Sequence, residues 1–210
     1  MFSGIGGFEL GIQRAYNKLQ SQTTKKRLQN ERWDRDINSQ EDSSLLTKES
    51  TLCVGYSEID KYAIQIYEKH FGGHKNYGNA RTIKPEEIPD FDLLVGGTPC
   101  QDFSIAGKRK GLFKEDGTLT RSGLFYHFIR IANIKRPKFI LMENVKGMLS
   151  SKNKITGEYN FDNMMELLCE IDYVFDFTVL NSKFFRVPQN RERVFILAIR
   201  EDLIEKEKII

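Results

Sequence analysis

The feature that most constrains the fold of this chain is a repeated alternation, a short apolar run followed by a stretch with helical periodicity. It occurs at Cys53 to Tyr56 before Tyr62 to Phe71, at Leu93 to Val95 before Leu124 to Ile134, and at Phe139 to Met142 before Phe161 to Ile171. Strands alternating with helices predict an α/β fold, with a doubly wound, mostly parallel sheet and helices on both faces. Two further strand candidates, Tyr173 to Leu180 and Val194 to Ile199, are separated by a loop alone. That nearness predicts an antiparallel pair at the edge of the sheet.

A chain of 210 residues that is 40 % hydrophobic can bury a sizeable core. No apolar run approaches a membrane span and the N-terminus carries no signal-peptide pattern, so the expected location is cytoplasmic, with no membrane partner. The three cysteines are odd in number, far apart and without a CxxC pair, which predicts neither a disulfide framework nor a metal site. A net charge of +3 permits a nucleic-acid partner without requiring one. Residues 17–50, rich in Gln, Asn, Ser, Lys and Glu around the single tryptophan, Trp33, read as an exposed insertion.

Open α/β sheets bind ligands at the carboxyl ends of their strands, and the chemically sharp features of this sequence fall there. Gly4, Gly6 and Gly7 in FSGIGGFELGI precede a helical pattern, as a ligand-cradling turn would, although many such turns only join strand to helix. Glu58 in VGYSEID ends the second strand, where a carboxylate binds ribose hydroxyls. Alternatively, Glu58 and Asp60 complement the dipole of the following helix. Cys100 follows Pro99 on a rigid turn after a strand. A thiol there becomes a nucleophile if cations or a helix N-terminus lower its pKa, and is otherwise inert.

Lys108, Arg109 and Lys110 offer a phosphate backbone positive charge, or form a solvated loop. Glu143 and Asn144 close the strongly apolar run FILMENV, where partial desolvation suits a carboxyl to donate a proton near neutrality; a cap for the next segment is the plain alternative. In VPQNRERVFILAIR, Gln189, Arg191 and Arg193 alternate into a strand. Period two puts both arginines on one face, either gripping an anion or protecting an edge with charge.

Taken in order, FxGxGG, a strand-end Glu, GGxPCQxFS followed by AGxRxG, ENV and QxRxRVF resemble the DNA (cytosine-5)-methyltransferases. The resemblance covers nearly everything outside the insertion, and its most specific element is the PCQ and ENV pair. It implies a sheet of the S-adenosylmethionine-dependent methyltransferase type. It also implies methyl transfer to C5 of cytosine in double-stranded DNA, with the target base flipped from the stack.

In the implied mechanism Cys100, flanked by Pro99 and Gln101, attacks C6 of the base. Glu143 bonds N3 and the exocyclic amine, Arg193 contacts O2, Arg191 lies closer to the sugar-phosphate, and Asn144 supports the cysteine loop. The loop from Ser104 to Ser122 closes over the base. The implied cofactor, S-adenosylmethionine, is assigned to Phe2, Gly4, Ile5, Gly6, Gly7, Glu58, Ile59, Asn79 and Gly97, with Asn79 standing where the family often has an aspartate.

Two departures from the family pattern accompany these matches. Only Met1 precedes Phe2, so the first strand of the sheet is expected to be missing. The chain also stops about ten residues after the QxRxR strand, where the family places its target-recognition region. Residues 1–210 are therefore expected to be an incomplete catalytic domain: a fragment, a subunit needing a complementary partner, or a remnant that binds cofactor or DNA without turnover. A cognate restriction endonuclease and association with a prokaryotic nucleoid are part of the same expectation. A tRNA-methylating relative and a generic dinucleotide-binding oxidoreductase are the rival readings; the latter assigns no task to Cys100, Glu143 and Arg193.

Overall fold

The structure is a computed structural model, and it describes residues 11–12, 14–15, 18, 53–97, 124–152, 157–186 and 188–204. In chain order the elements are α1 (Lys61–Phe71), β1 (Leu93–Gly97), α2 (Phe125–Lys135), β2 (Phe139–Val145), α3 (Asn160–Cys169), β3 (Tyr173–Asn181) and β4 (Glu192–Arg200). These are the helices and strands expected from periodicity, with the boundaries of several strands extended. The glycine turn from Phe2 to Gly7, the insertion apart from Lys18, and the Thr98–Gly123 stretch that carries Cys100 lie outside the described residues.

The four strands lie in the order β1-β2-β4-β3. A crossover through α2 makes β1 and β2 parallel, with Leu93 opposite Phe139 and Gly97 opposite Glu143. Both β2 with β4 and β4 with β3 are antiparallel, so the expected pair is present, with β3 as the edge strand and β4 tucked inside. The α/β class holds, but among the described residues the sheet is mixed rather than mostly parallel. The connection between β3 and β4, residues 182–191, contains no helix long enough to carry the chain back for a parallel pairing.

Alternation along the strands decides which face is buried. Leu94, Ile140, Met142, Val194, Ile196 and Ala198 point to one side and form a single core with Phe125, Phe128, Ile131 and Ala132 of α2 and with Phe161, Met164, Met165 and Leu168 of α3. Each such large side chain contributes roughly 1.5–3 kcal/mol of apolar burial. Residues of the opposite register, Phe139, Val174 and Leu197, are exposed.

Arg200 and Arg136 tie together the end of the sheet where β2 starts and β4 finishes. The Arg200 guanidinium holds Asp202 at 2.6 Å and donates to the Arg136 carbonyl, while Arg136 pairs with Asp172 at 3.1 Å. That hydrogen bond from Arg200 holds the Asp202 carboxyl below its usual range. Arg136 ends α2 in the left-handed conformation, and its N–H donates to Ala132 O at 2.8 Å just before Pro137 prevents continuation.

The expected strand Cys53–Tyr56 is a correction. It is reduced to one parallel bridge, Tyr56 with Asn76, outside the main sheet. Gly55 accounts for this, because its φ of +149° is foreign to regular strands and a Cβ on it would stand 2.4 Å from the Tyr77 ring and 2.7 Å from the Lys75 carbonyl. Arg130 of α2 holds the following 80–83 stretch by donating to Ala80 O (3.3 Å) and Ile83 O (2.8 Å). Gly55→Ala is expected to lower unfolding stability by about 1–3 kcal/mol, read as a reduced urea midpoint at constant slope. An unchanged midpoint would mean that the Tyr77 ring gives way without cost.

Candidate active site

Three neighbouring strands end in a row of residues that share one face. Gly97 of β1 is opposite Glu143 of β2, which is opposite Phe195 of β4, and the next pair out is Val145 with Arg193. Glu143 and Arg193 are thus diagonal neighbours on one face, and Arg193 Nε meets Glu143 Oε1 at 2.8 Å. Both side chains are only partly exposed, 26 % for Glu143 and 19 % for Arg193. A charge-assisted hydrogen bond in this half-sheltered setting fixes the plane of the carboxylate far better than a surface pair would.

The absence of a side chain at Gly97 makes room for that carboxylate. A Cβ there would lie 3.1 Å from Glu143 Oε2, closer than carbon and oxygen normally approach. The resemblance assigns Gly97 to the cofactor; the geometry sets it against Glu143. Cys100 is three residues further along the chain.

Asn144 points to the opposite, buried face at 3 % exposure, and its Oδ1 accepts from the Val145 N–H at 2.8 Å. Arg191 precedes β4 and is exposed, so the two arginines expected on one strand face are divided between loop and strand. The Arg191 carbonyl accepts from the Ser182 N–H at 3.1 Å. Lys146, just past β2, pairs with Glu192 at 3.1 Å and closes the end of the β2–β4 ladder.

A second group forms where the segment through Tyr56 runs beside the segment through Asn76. The backbone exchanges Tyr56 N–H to Lys75 O (2.9 Å) and Tyr77 N–H to Tyr56 O (2.7 Å), and Ser57 Oγ donates to Gly78 O at 2.6 Å. This parallel contact brings the loop carrying Glu58 alongside the loop carrying Asn79. Glu58 Oε1 accepts from the Ile59 and Asp60 N–H groups at 2.8 and 3.0 Å. Asp60 is the helix cap, accepting from Tyr62 and Ala63 of α1 at 2.9 and 2.8 Å, while Glu58 turns onto the two N–H groups just before the helix.

Ile59 beside Glu58 is 70 % exposed. A carboxylate next to an uncovered apolar side chain, with the Asn79 amide in the adjoining loop, is a donor and acceptor set suited to a nucleoside. Asn79 Oδ1 accepts from the Arg81 N–H at 3.0 Å, which orients the amide.

Sequence reasoning missed Asn76. Its Oδ1 accepts from Glu58 N–H (3.2 Å) and Gly78 N–H (2.9 Å), and its amide donates to Glu58 O at 3.1 Å, so one side chain spans both loops. The signal was present as Asn76-Tyr77-Gly78, an Asx turn closing on a glycine at φ +69°. Beneath it Tyr56 stacks on Tyr67 of α1 with ring centroids 3.9 Å apart. Burial, reinforced by Glu68 and Glu58, pushes the Tyr56 phenol above its ordinary range and keeps it protonated.

Phe2, Gly4, Ile5, Gly6, Gly7, Pro99, Cys100 and Gln101 lie outside the described residues. Among the described residues no helix is long and apolar enough to cross a membrane.

Comparison with known proteins supplies the lineage. A family profile described as C-5 cytosine-specific DNA methylase matches residues 1–210. The orphan methyltransferase M.SPRI of Bacillus phage SPR is 46 % identical over 157 residues, covering 74 % of this chain and 34 % of that protein. Type II methyltransferase M.HhaI of Haemophilus parahaemolyticus is 42 % identical over 151 residues, covering 72 % and 43 %.

The chain therefore spans less than half the length of either relative. Among solved structures, a putative DNA modification methyltransferase encoded within an E. coli prophage superposes with a TM-score of 0.55 at 24 % identity, over 74 % of this chain and 43 % of that one. That likeness speaks for the methyltransferase fold alone. The whole-length profile match and relatives above 40 % identity assign the lineage: the chain belongs to the C-5 cytosine-specific DNA methylase family.

Proposed function

We propose that this chain carries the catalytic chemistry for methylating C5 of cytosine in double-stranded DNA, through a covalent intermediate on Cys100. The observation that carries the proposal is the Gly97–Glu143–Arg193 row at the ends of three adjacent strands, with Cys100 three residues beyond Gly97. Ring carbon C5 is a poor nucleophile until something adds to C6. The Cys100 thiolate forms an Sγ–C6 bond while Glu143, held by Arg193, bonds the exocyclic amine and protonates N3, so negative charge does not build on the ring.

S-adenosylmethionine supplies the electrophilic methyl group. Loss of the C5 proton to a base, return of the N3 proton to Glu143 and breakage of the Sγ–C6 bond then restore the neutral aromatic ring. Arg193 contributes twice, by orienting Glu143 and by facing O2 of the base. Glu58 and Ile59, with Asn79, would hold the ribose and adenine, a role their carboxylate, apolar and amide groups fit; Phe2, Gly4, Ile5, Gly6 and Gly7 would complete that site. Pro99 and Gln101 shape the nucleophile's turn, and Asn144 and Arg191 support its loop and the sugar-phosphate. A base must leave the stack to reach these groups, at a cost of a few kcal/mol.

Relatives named as type II methyltransferases support a restriction-modification setting with a cognate endonuclease, and relatives named as orphans support action without one. Since this chain covers only 34 % and 43 % of those two proteins, sequence recognition is assigned to a further region or a complementary subunit.

Cys100→Ser is expected to abolish transfer of label from tritiated S-adenosylmethionine to random-sequence duplex DNA, with cofactor affinity intact by calorimetry. Label persisting in 5-methylcytosine would end the covalent proposal. DNA containing 5-fluorocytosine is expected to trap an adduct, since fluorine cannot leave as a proton does; peptide mapping to any residue other than Cys100 would reassign the nucleophile. Gly97→Ala is expected to lower turnover about 10–100-fold by displacing the Glu143 carboxylate. A loss of cofactor affinity instead would put Gly97 in the cofactor set.

A further inference from the structure

The loop joining β3 to β4 leaves from the same end of the sheet as the catalytic row, because Asn181 pairs with Glu192 and Val145 with Arg193. Its base is firmly built. Asn181, only 7 % exposed, donates to Asn190 Oδ1 at 2.7 Å and accepts from the Lys183 N–H at 3.1 Å. Ser182 donates from its N–H to Arg191 O and from its hydroxyl to Gln189 O. The base of this loop is therefore held in place.

Two aromatic side chains stand uncovered on that tip, Phe184 at 76 % exposure and Phe185 at 60 %. No other large apolar side chain among the described residues is more exposed than Phe184. The Lys183 ammonium sits 4.9 Å from the centre of the Phe184 ring. Arg186 turns through the left-handed region at φ +62°, uncommon for a residue with a side chain. From Asn181 to Arg191 the sequence contains three cations, Lys183, Arg186 and Arg191, and no carboxylate.

Exposed rings interleaved with uncompensated cations match a polyanion that also presents flat apolar surfaces. The core of a protein interface, by contrast, is depleted in charge. Extrusion of a base creates such surfaces beside the catalytic row.

Resting on the reading above that DNA is the substrate, we propose that Lys183–Arg186 is a further DNA-contacting element. Lys183 and Arg186 bind phosphates flanking the extruded nucleotide, and Phe184 and Phe185 pack on a base left unstacked beside it.

The test uses the 210-residue chain and a fluorescein-labelled duplex with one C·A mismatch, which lowers the cost of extrusion. Anisotropy is followed from 25 to 200 mM salt, with S-adenosylmethionine binding and sedimentation measured in parallel. Phe184→Ala/Phe185→Ala is expected to weaken DNA binding roughly tenfold or more, and Phe184→Tyr/Phe185→Tyr to retain it. Lys183→Ala/Arg186→Ala is expected to lower the slope of log K against log salt by about two, one per phosphate contact. Cofactor binding should be unchanged in all three, as expected for exposed side chains.

If the wild-type chain binds DNA and the variants match its affinity and slope, the tip assignment is overturned while the DNA reading stands. A wild-type chain that binds S-adenosylmethionine but no DNA overturns both. Variants that lose only self-association, with DNA affinity intact, make the tip a protein-docking surface and likewise overturn the proposal.

Discussion

The register between β2 and β4 is the constraint on which the rest of the site depends. Pairing Val145 with Arg193 places Arg193 on the same face as Glu143, one diagonal step away, and sends Asn144 to the buried side. Because strand side chains alternate strictly, a slip of one residue would bury the carboxylate under α2 and α3 and turn Met142 and Ile140 outward. The apolar core thus supports the chemistry: Ile140, Met142, Val194, Ile196 and Ala198 face inside only when no odd-numbered slip occurs, and the observed register aligns the acid with its cation.

The Glu58 loop is positioned by different means. No long ladder supports it. A single backbone bridge, one serine hydroxyl and the Asn76 amide hold it beside the Asn79 loop, and the Tyr56–Tyr67 stack lies underneath. Hydrogen bonds specify this part of the molecule where burial specifies the other. The parallel pair β1–β2 presents its strand ends on the side from which the chain continues into Pro99 and Cys100, in keeping with the general tendency of open α/β sheets to place ligands there.

Much of this was legible in the sequence. Leu93 to Val95, Phe139 to Met142 and Val194 to Ile199 read as strands because their apolar density has no other use, and α2 and α3 read as helices from their spacing. Glu143 was identifiable because a carboxyl closing so apolar a strand is partly desolvated. Its partner was visible only as a candidate, since period two within one strand says nothing about which neighbour faces it. The strand at Cys53 to Tyr56 was misjudged because Gly55 looks permissible in a one-dimensional pattern, whereas its φ and the Tyr77 ring are tertiary facts. Asn76 was overlooked for a similar reason. An Asx turn is written in sequence, but the loop it clasps is eighteen residues away. The exposure of Phe184 and Phe185 could not be read at all, since FF in a loop predicts burial as readily as display.

The Arg200–Asp202–Arg136–Asp172 cluster lies at the opposite end of the same strands from Glu143 and Arg193, with the full length of β2 and β4 between them. Its charges are in contact with solvent, where counterions compete for each partner. The Glu143–Arg193 pair is half sheltered and answers mainly to what occupies the space in front of it. One sheet thereby has two ends that listen to different variables. With Asp202 and Asp172 each more than 60 % exposed, ionic strength weakens the far end more than it weakens the pair beside the catalytic row.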